Sequence, residues 1–317
     1  MSREQLEASL AQVRAGVRDP RHGIHGPGSA AWRLERDGLI FVGGGRAALL
    51  QLAHPFVAYA VDQHSATRRD VVGRFQRTFR NVFAMSFGDL DDAFRAARRV
   101  HAIHSHIRGA FPEAIGPFPA GTVYHANDAD SLLWVYATLV DTVVAISERV
   151  RGPLADGDKE AYYRASGQFA RLFGIPDALR PPDWPSFRRY VDDMLASPIL
   201  TVAPPARDMA AFLFGRGPGQ RQNRVGAAVE AITAALLPAR LRDEFGLRYR
   251  GADRAFAAVA LASLRPVGRA VPRRLRYLPA YVAAARRIRG QPPSELAAWL
   301  EQRMFGVAGA ITGPAHR

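Results

Sequence analysis

Two short stretches of this chain set reactive side chains at helical spacing. Arg74-Phe-Gln-Arg77-Thr78 places Arg74 and Thr78 one turn apart on one face. His101-Ala-Ile-His104-Ser-His-Ile-Arg108-Gly109 does the same for His101, His104 and Arg108 among apolar neighbours. Two helices bearing an Arg/Thr pair and a His/Arg pair could enclose a cofactor, and an imidazole approaching from one side is a common way to hold haem iron. His106 falls on roughly the opposite face from His104 and is expected to point away.

Other chemistries compete for the same residues. His104 on an apolar helix also reads as a hydrogen-bonded core histidine, and so does His54 before Pro55. His101 and His104 together could hold zinc or non-haem iron, but no H-E-x-x-H string accompanies them and no carboxylate sits one turn away on their face. Leu39-Ile-Phe-Val-Gly43-Gly44-Gly45-Arg46 resembles a strand entering a dinucleotide-binding turn. No second strand follows, so the alternative is a tight turn that lets two helices approach closely. A serine-hydrolase elbow, G-x-S-x-G, is missing. Arg74 lies among Val71, Val72, Phe75 and Phe79, where a buried guanidinium needs an anionic partner. A carboxylate of the chain or a cofactor propionate would serve equally.

The elements that must position these residues are helical nearly throughout. Ser2 with Gln5 has capping-box spacing, Ser29 caps a helix through Arg36, and Asp89 caps the helix bearing His104. Leu90, Phe94, Ala97, Val100 and Ile107 recur at three- and four-residue steps, and Gly109 is the expected stop. The glycine turn leads into a helix through about His64, followed by one over Arg69–Phe87. Asn127 or Asp128 starts a long helix to about Val150. Later helical windows are Asp156–Phe173, Pro185–Leu195, Pro205–Phe214, Arg221–Leu237, Ala252–Leu264, Leu278–Arg289 and Pro293–Met304. Only Leu39–Val42 reads as a strand. The expectation is an all-α chain: an N-terminal arm over 1–20, one large helical domain over 21–305 and a flexible tail over 306–317.

Composition agrees with a globular protein, 48% hydrophobic and 23% charged over 317 residues. The absence of cysteine excludes disulfides, zinc–thiolate sites, iron–sulfur clusters and thiolate-ligated haem. The N-terminal stretch lacks the apolar core of a signal peptide, and the uncharged runs are too short to span a bilayer, so a cytoplasmic protein is expected. The net charge of +14 is carried almost wholly by arginine, Lys159 being the single lysine. Arginines concentrate in 265–289, where they form either a solvated face or a peripheral contact with anionic membrane. No nucleic-acid recognition motif accompanies them, and no specific nucleic acid is expected.

Taken in order, the motifs resemble the oxygenase domain shared by rubber oxygenases (latex-clearing proteins) and mpaB-type oxygenases. The matching string runs Gly43–Arg46, Gln51-Leu-Ala-His54-Pro55, His64-Ser65, Arg74-x-x-Arg77-Thr78, His104-Ser-His-Ile-Arg108-Gly109, Tyr124-His-Ala-x-Asp128 and Trp134-Val-Tyr-Ala-Thr138. A weaker match follows at Tyr162-Tyr163, Leu172–Pro176 and Tyr190–Leu195. The resemblance implies a globin-like helical core holding haem b, with His104 as the iron's proximal ligand and Arg108 and His101 beside the cofactor. Arg74, Arg77 and Thr78 then line the distal side. It also implies dioxygen-dependent oxidation or cleavage of an apolar, unsaturated, lipid-like substrate. Arg77 stands where the family's distal lysine falls, and arginine does not readily give up its proton to bind iron. His101 stands where the family has an arginine. These departures bear on rubber as the substrate more than on haem. The alternative is a non-catalytic haem- or lipid-binding helical protein at membrane surfaces.

Overall fold

Local capping fixes the helix starts. Ser2 and Gln5 form a reciprocal capping box at α1 (Arg3–Gly16). Ser29 accepts from the Trp32 amide at the start of α2 (Ala30–Glu35). The computed structural model describes residues 1–64 and 71–305, with the side chains of 1–63 and 76–303. The expected tail over 306–317 lies outside the described residues, as does the side chain of Arg74.

Leu39–Val42 is not a strand. Gly38–Gly43 forms a 3-10 turn, capped by the Asp37 carboxylate on the Leu39 amide, that feeds directly into α3 (Gly44–Leu52). The glycines serve close packing. A β-carbon on Gly43 would meet Ile146 at 2.8 Å, and one on Gly45 would collide with Thr233. The helix expected to run on to His64 breaks at Ala53–His54, because Pro55 cannot donate to it. Pro55 instead opens α4 (Pro55–His64).

Next come α5 (Val71–Phe87) and α6 (Leu90–Ser105), joined by two residues into an antiparallel hairpin, with Asp89 capping α6 through the Asp92 amide at 2.8 Å. Helix α6 stops at Ser105, short of the expected Gly109. Backbone pairing takes over there: β1 (Arg108–Ala110) and β2 (Val123–His125) form an antiparallel ribbon with Arg108 opposite His125. Gly109 is needed within it, since a β-carbon there would strike the Tyr124 hydroxyl at 2.5 Å.

The centre of the fold is α7 (Ala129–Arg151), started by Asp128, which accepts from the Ser131 amide and hydroxyl at 2.8 and 2.7 Å. By length and mean hydropathy of 1.5 this helix could cross a membrane, but 67% of its apolar window is buried within the protein. Asp141 interrupts its uncharged run. Trp134, wholly buried, donates to the Leu50 carbonyl at 2.8 Å and fixes α7 against α3. Asp141 is itself buried and takes the Arg46 guanidinium of α3, which also donates to Thr142 at 2.7 Å and to the Leu236 carbonyl at 3.0 Å.

The remaining helices are α8 (Asp156–Leu172), α9 (Trp184–Ala196), α10 (Pro204–Leu213), α11 (Arg224–Leu236), α12 (Ala239–Glu244), α13 (Gly251–Ala270), α14 (Arg273–Arg276), α15 (Pro279–Ile288) and α16 (Glu295–Phe305). Helix α13 continues past Leu264, where the sequence suggested an end. Pro266 lies on the exposed side, so water can take the carbonyl it leaves without a donor. The fold is all-α, and the two-stranded ribbon is its only sheet among the described residues.

Candidate active site

The α5–α6 hairpin does not close on itself. Together with α2, α3, α4, α7, α8 and α10 it surrounds a cavity of about 820 Å3 whose walls are chiefly Phe, Leu, Val, Ile and Ala. Phe41, Phe79, Phe83 and Phe87 furnish one side; the Phe41 and Phe79 rings lie 5.0 Å apart and those of Phe79 and Phe83 5.7 Å.

His104 lines this cavity from α6, flanked by Val100, Ile103 and Ile107. Arg77 and Thr78 line it from α5, so the two motifs first noticed in the sequence meet at one chamber. His104 is half-buried, whereas Arg77, Thr78 and His125 are exposed, so this end is the open mouth. Arg80 and Arg99 also line the cavity and add guanidinium groups to an otherwise apolar wall.

Other residues singled out in the sequence go elsewhere. His101 is not part of the lining; its Nε2 lies 3.3 Å from the Met1 carbonyl oxygen, and its own carbonyl accepts from Asn127 at 3.2 Å. The two histidines therefore do not converge on a common point. Arg108 is exposed on β1 and also absent from the lining, because it follows the end of α6 instead of continuing it by a turn. His54 is buried outside the cavity, its Nδ1 accepting from the Phe56 amide at 3.3 Å, and burial depresses it to about 4. His106 is exposed, as its helical phase predicted.

The far end of the cavity holds a group that sequence reasoning missed. Glu35, at the last turn of α2, lines the chamber and accepts from the Tyr162 hydroxyl of α8 at 3.1 Å and from the Ser86 side chain. Burial pushes its carboxyl up to about 7. The Tyr136 and Ser166 hydroxyls, 2.7 Å apart, line the same end. Ser86 is eight residues beyond Thr78 on α5, which separates the two ends by about 12 Å along the helix axis. His125 was likewise passed over as a site residue. Its place on the mouth follows from the β-ribbon, which no local signal announced.

The chamber can thus do two things. Its apolar walls can hold a flat or elongated hydrophobic molecule. Its mouth presents an imidazole able to ligate a metal, with cations able to pair with carboxylates or bind an anionic oxygen.

Comparison with known proteins bears on which of these it does. No solved structure matches the chain. Uncharacterized proteins of Mycobacterium bovis and Mycobacterium tuberculosis are each 25% identical to it over 146 residues, 45% of this chain. The match spans about half the length of these curated relatives (54%). Residues 32–273 match the family described as ER-bound oxygenase mpaB/B'/Rubber oxygenase, catalytic domain. That match takes in Glu35, both halves of the α5–α6 hairpin and every helix surrounding the cavity, and by it the chain belongs to the mpaB/rubber oxygenase catalytic-domain family.

Proposed function

We propose that the chamber holds haem b and that the protein is an oxygenase acting on an apolar, unsaturated substrate. The observation that carries this reading is the presence of His104, Arg77 and Thr78 on the walls of one large apolar cavity. The donor set fits a porphyrin: the His104 imidazole lies among aliphatic side chains, His125 stands on the mouth, and the guanidinium groups of Arg77, Arg80 and Arg99 line the same cavity. Among the described residues no three His, Asp or Glu side chains cluster as a metal site, so a cofactor bringing its own ring nitrogens suits the chain better than a bare ion.

In this reading His104 is the iron's protein ligand. Thr78 and Arg77 offer a hydroxyl and a guanidinium that orient dioxygen and hold water at the mouth. The motif assigns Arg74 to the same wall. Arg108 and His101 stand outside the lining, Arg108 paired with His125 in the ribbon and His101 against the Met1 carbonyl. Bound haem supplies a redox-active iron able to activate dioxygen for addition across a carbon–carbon double bond. The phenylalanine walls exclude bulk water and select hydrophobic chains.

The test is an absorption spectrum of protein produced with haem supply, followed by a pyridine haemochrome assay. A Soret band with near-stoichiometric haem b is expected, lost in His104→Ala but kept in Thr78→Ala, which loses turnover. Full haem retention by His104→Ala overturns the assignment.

A second reading concerns location and has its own observation. Helix α13 turns an uncharged face outward, with Phe256 48%, Val259 70% and Val267 40% exposed at steps of three and eight residues. Arg254, Arg265 and Arg269 run along one edge of that face, and exposed Arg273, Arg274 and Leu275 follow on α14. An apolar stripe edged by arginines complements an anionic lipid surface. We propose peripheral binding there. Co-sedimentation with vesicles containing phosphatidylglycerol, abolished by high salt or by Val259→Glu, is expected. Equal binding to neutral phosphatidylcholine vesicles, or none to either, refutes it.

A further inference from the structure

An apolar chamber needs no carboxyl at its closed end. Glu35 is half-buried there; among the described residues it makes no ion pair, the Arg180 guanidinium lying outside the lining over the Tyr136 ring, and its neighbours are the hydroxyls of Tyr162, Ser86, Tyr136 and Ser166. Burying an unpaired carboxylate is costly, so the group is more stable as the neutral acid, which can both donate and accept. The cluster is therefore a patch of neutral donors and acceptors facing an otherwise greasy space. A ligand that is apolar throughout would leave the spare donor and acceptor capacity of these mutually bonded groups unused, at a cost in affinity relative to one that engages it. A carboxylate head would meet the Glu35 carboxyl, with the Arg180 guanidinium outside the lining over the Tyr136 ring.

We infer that the closed end recognises a neutral hydroxyl on one end of an elongated apolar substrate, with Glu35 and Tyr162 as the specificity-determining residues. This rests on the reading of the cavity as a substrate chamber. The anchored head fixes the substrate's depth. About 12 Å separates the level of Ser86 from that of Thr78 along α5, so the bond presented to the His104 end is chosen by its distance from the hydroxyl. Regiochemistry is then set by Glu35 while reactivity is set at the mouth.

Calorimetric titration of the protein as purified, its haem content recorded, tests this with n-decanol, its methyl ether and decylammonium. Decanol is expected to bind at least about tenfold tighter than the ether, which cannot donate. Glu35→Gln, a neutral group that still donates and accepts, keeps that preference. Glu35→Leu abolishes it while leaving ether binding and haem content unchanged, which separates this site from the haem assignment. A haem-free protein that still prefers decanol defeats the haem reading and leaves this one standing. An unchanged decanol preference in Glu35→Leu overturns the proposal. So does tighter binding of decylammonium that Glu35→Gln removes, which would make Glu35 an anion site. Failure of all three probes to bind the folded wild type overturns it together with the chamber. Circular dichroism of each variant confirms the fold.

Discussion

Replacing Glu35 by glutamine should remove a dependence of stability on pH that the buried carboxyl creates. The side chain is held at about 7 by burial, against 4.5 for the unfolded chain. Because the folded value is raised, the unfolded state binds fewer protons between those limits, and stability falls as pH rises through the window. Below about 4.5 both states carry the neutral acid and the substitution is nearly silent. Above 7 both are ionised, and the native state bears the whole cost of an enclosed anion. The gap between 4.5 and about 7 corresponds to roughly 3 kcal/mol. Water admitted to the cavity would screen the anion, so this figure is a ceiling. Urea unfolding of wild type and Glu35→Gln, followed by circular dichroism, should give a difference under about 1 kcal/mol at pH 5 that grows to about 2–3 kcal/mol in favour of glutamine at pH 8. A difference constant across that range would mean that Glu35 titrates like a surface carboxylate. A variant less stable at pH 8 would mean that a cation pairs with the anion. Either result removes the argument for a neutral acid.

Three other outcomes follow from the fold. Asp141→Ala should cost about 3–5 kcal/mol, because it strands the buried Arg46 guanidinium. Arg188→Ala, which removes the half-exposed second partner of Asp141, should cost about 1 kcal/mol or less; equal losses would show that the pair does not share the burden. His25 and His54 are both depressed to about 4 by burial, so the unfolded state takes up their protons first as pH falls below 6.5. Their contribution to stability should therefore drop between pH 6.5 and 4, opposing that of Glu35, and His54→Gln should remove its share of that slope; an unaltered slope removes His54 from the account.

The sequence disclosed what is local. Ser2, Ser29, Asp89 and Asp128 were legible as caps because the bond each makes lies within three residues. His104 was legible as a cavity residue through its helical neighbours and the motif order. Leu39–Val42 misled because four consecutive apolar residues fit a strand and a 3-10 turn alike, and the glycines that follow, Gly43 and Gly45, decide for the turn through contacts with α7 and α11. Arg108 was misplaced because the strand that captures it, β2, offers no more than three residues of pattern. Glu35 was illegible for a plainer reason. In Arg33-Leu-Glu35-Arg36 it reads as one surface charge among several, and its surroundings come from Tyr162, 127 residues away.

The aromatic wall of the chamber has a consequence for the order of assembly. Phe83 and Phe87 are sealed from outside by Leu278, Ala280 and Ala284, and the Leu278 amide is tied to the Arg36 carbonyl at 2.8 Å. Asp37 meanwhile holds Arg276 at 2.9 Å. An early segment and a late one thus close the same side, and a nascent chain cannot complete that closure until residues beyond 276 have left the ribosome. During this interval the hairpin that carries His104 has already been made, while its greasy flank lies open. On the proposed reading, haem would be able to enter sideways then, without threading the finished mouth. Truncation before Tyr277 would make that interval permanent and leave a sticky intermediate behind.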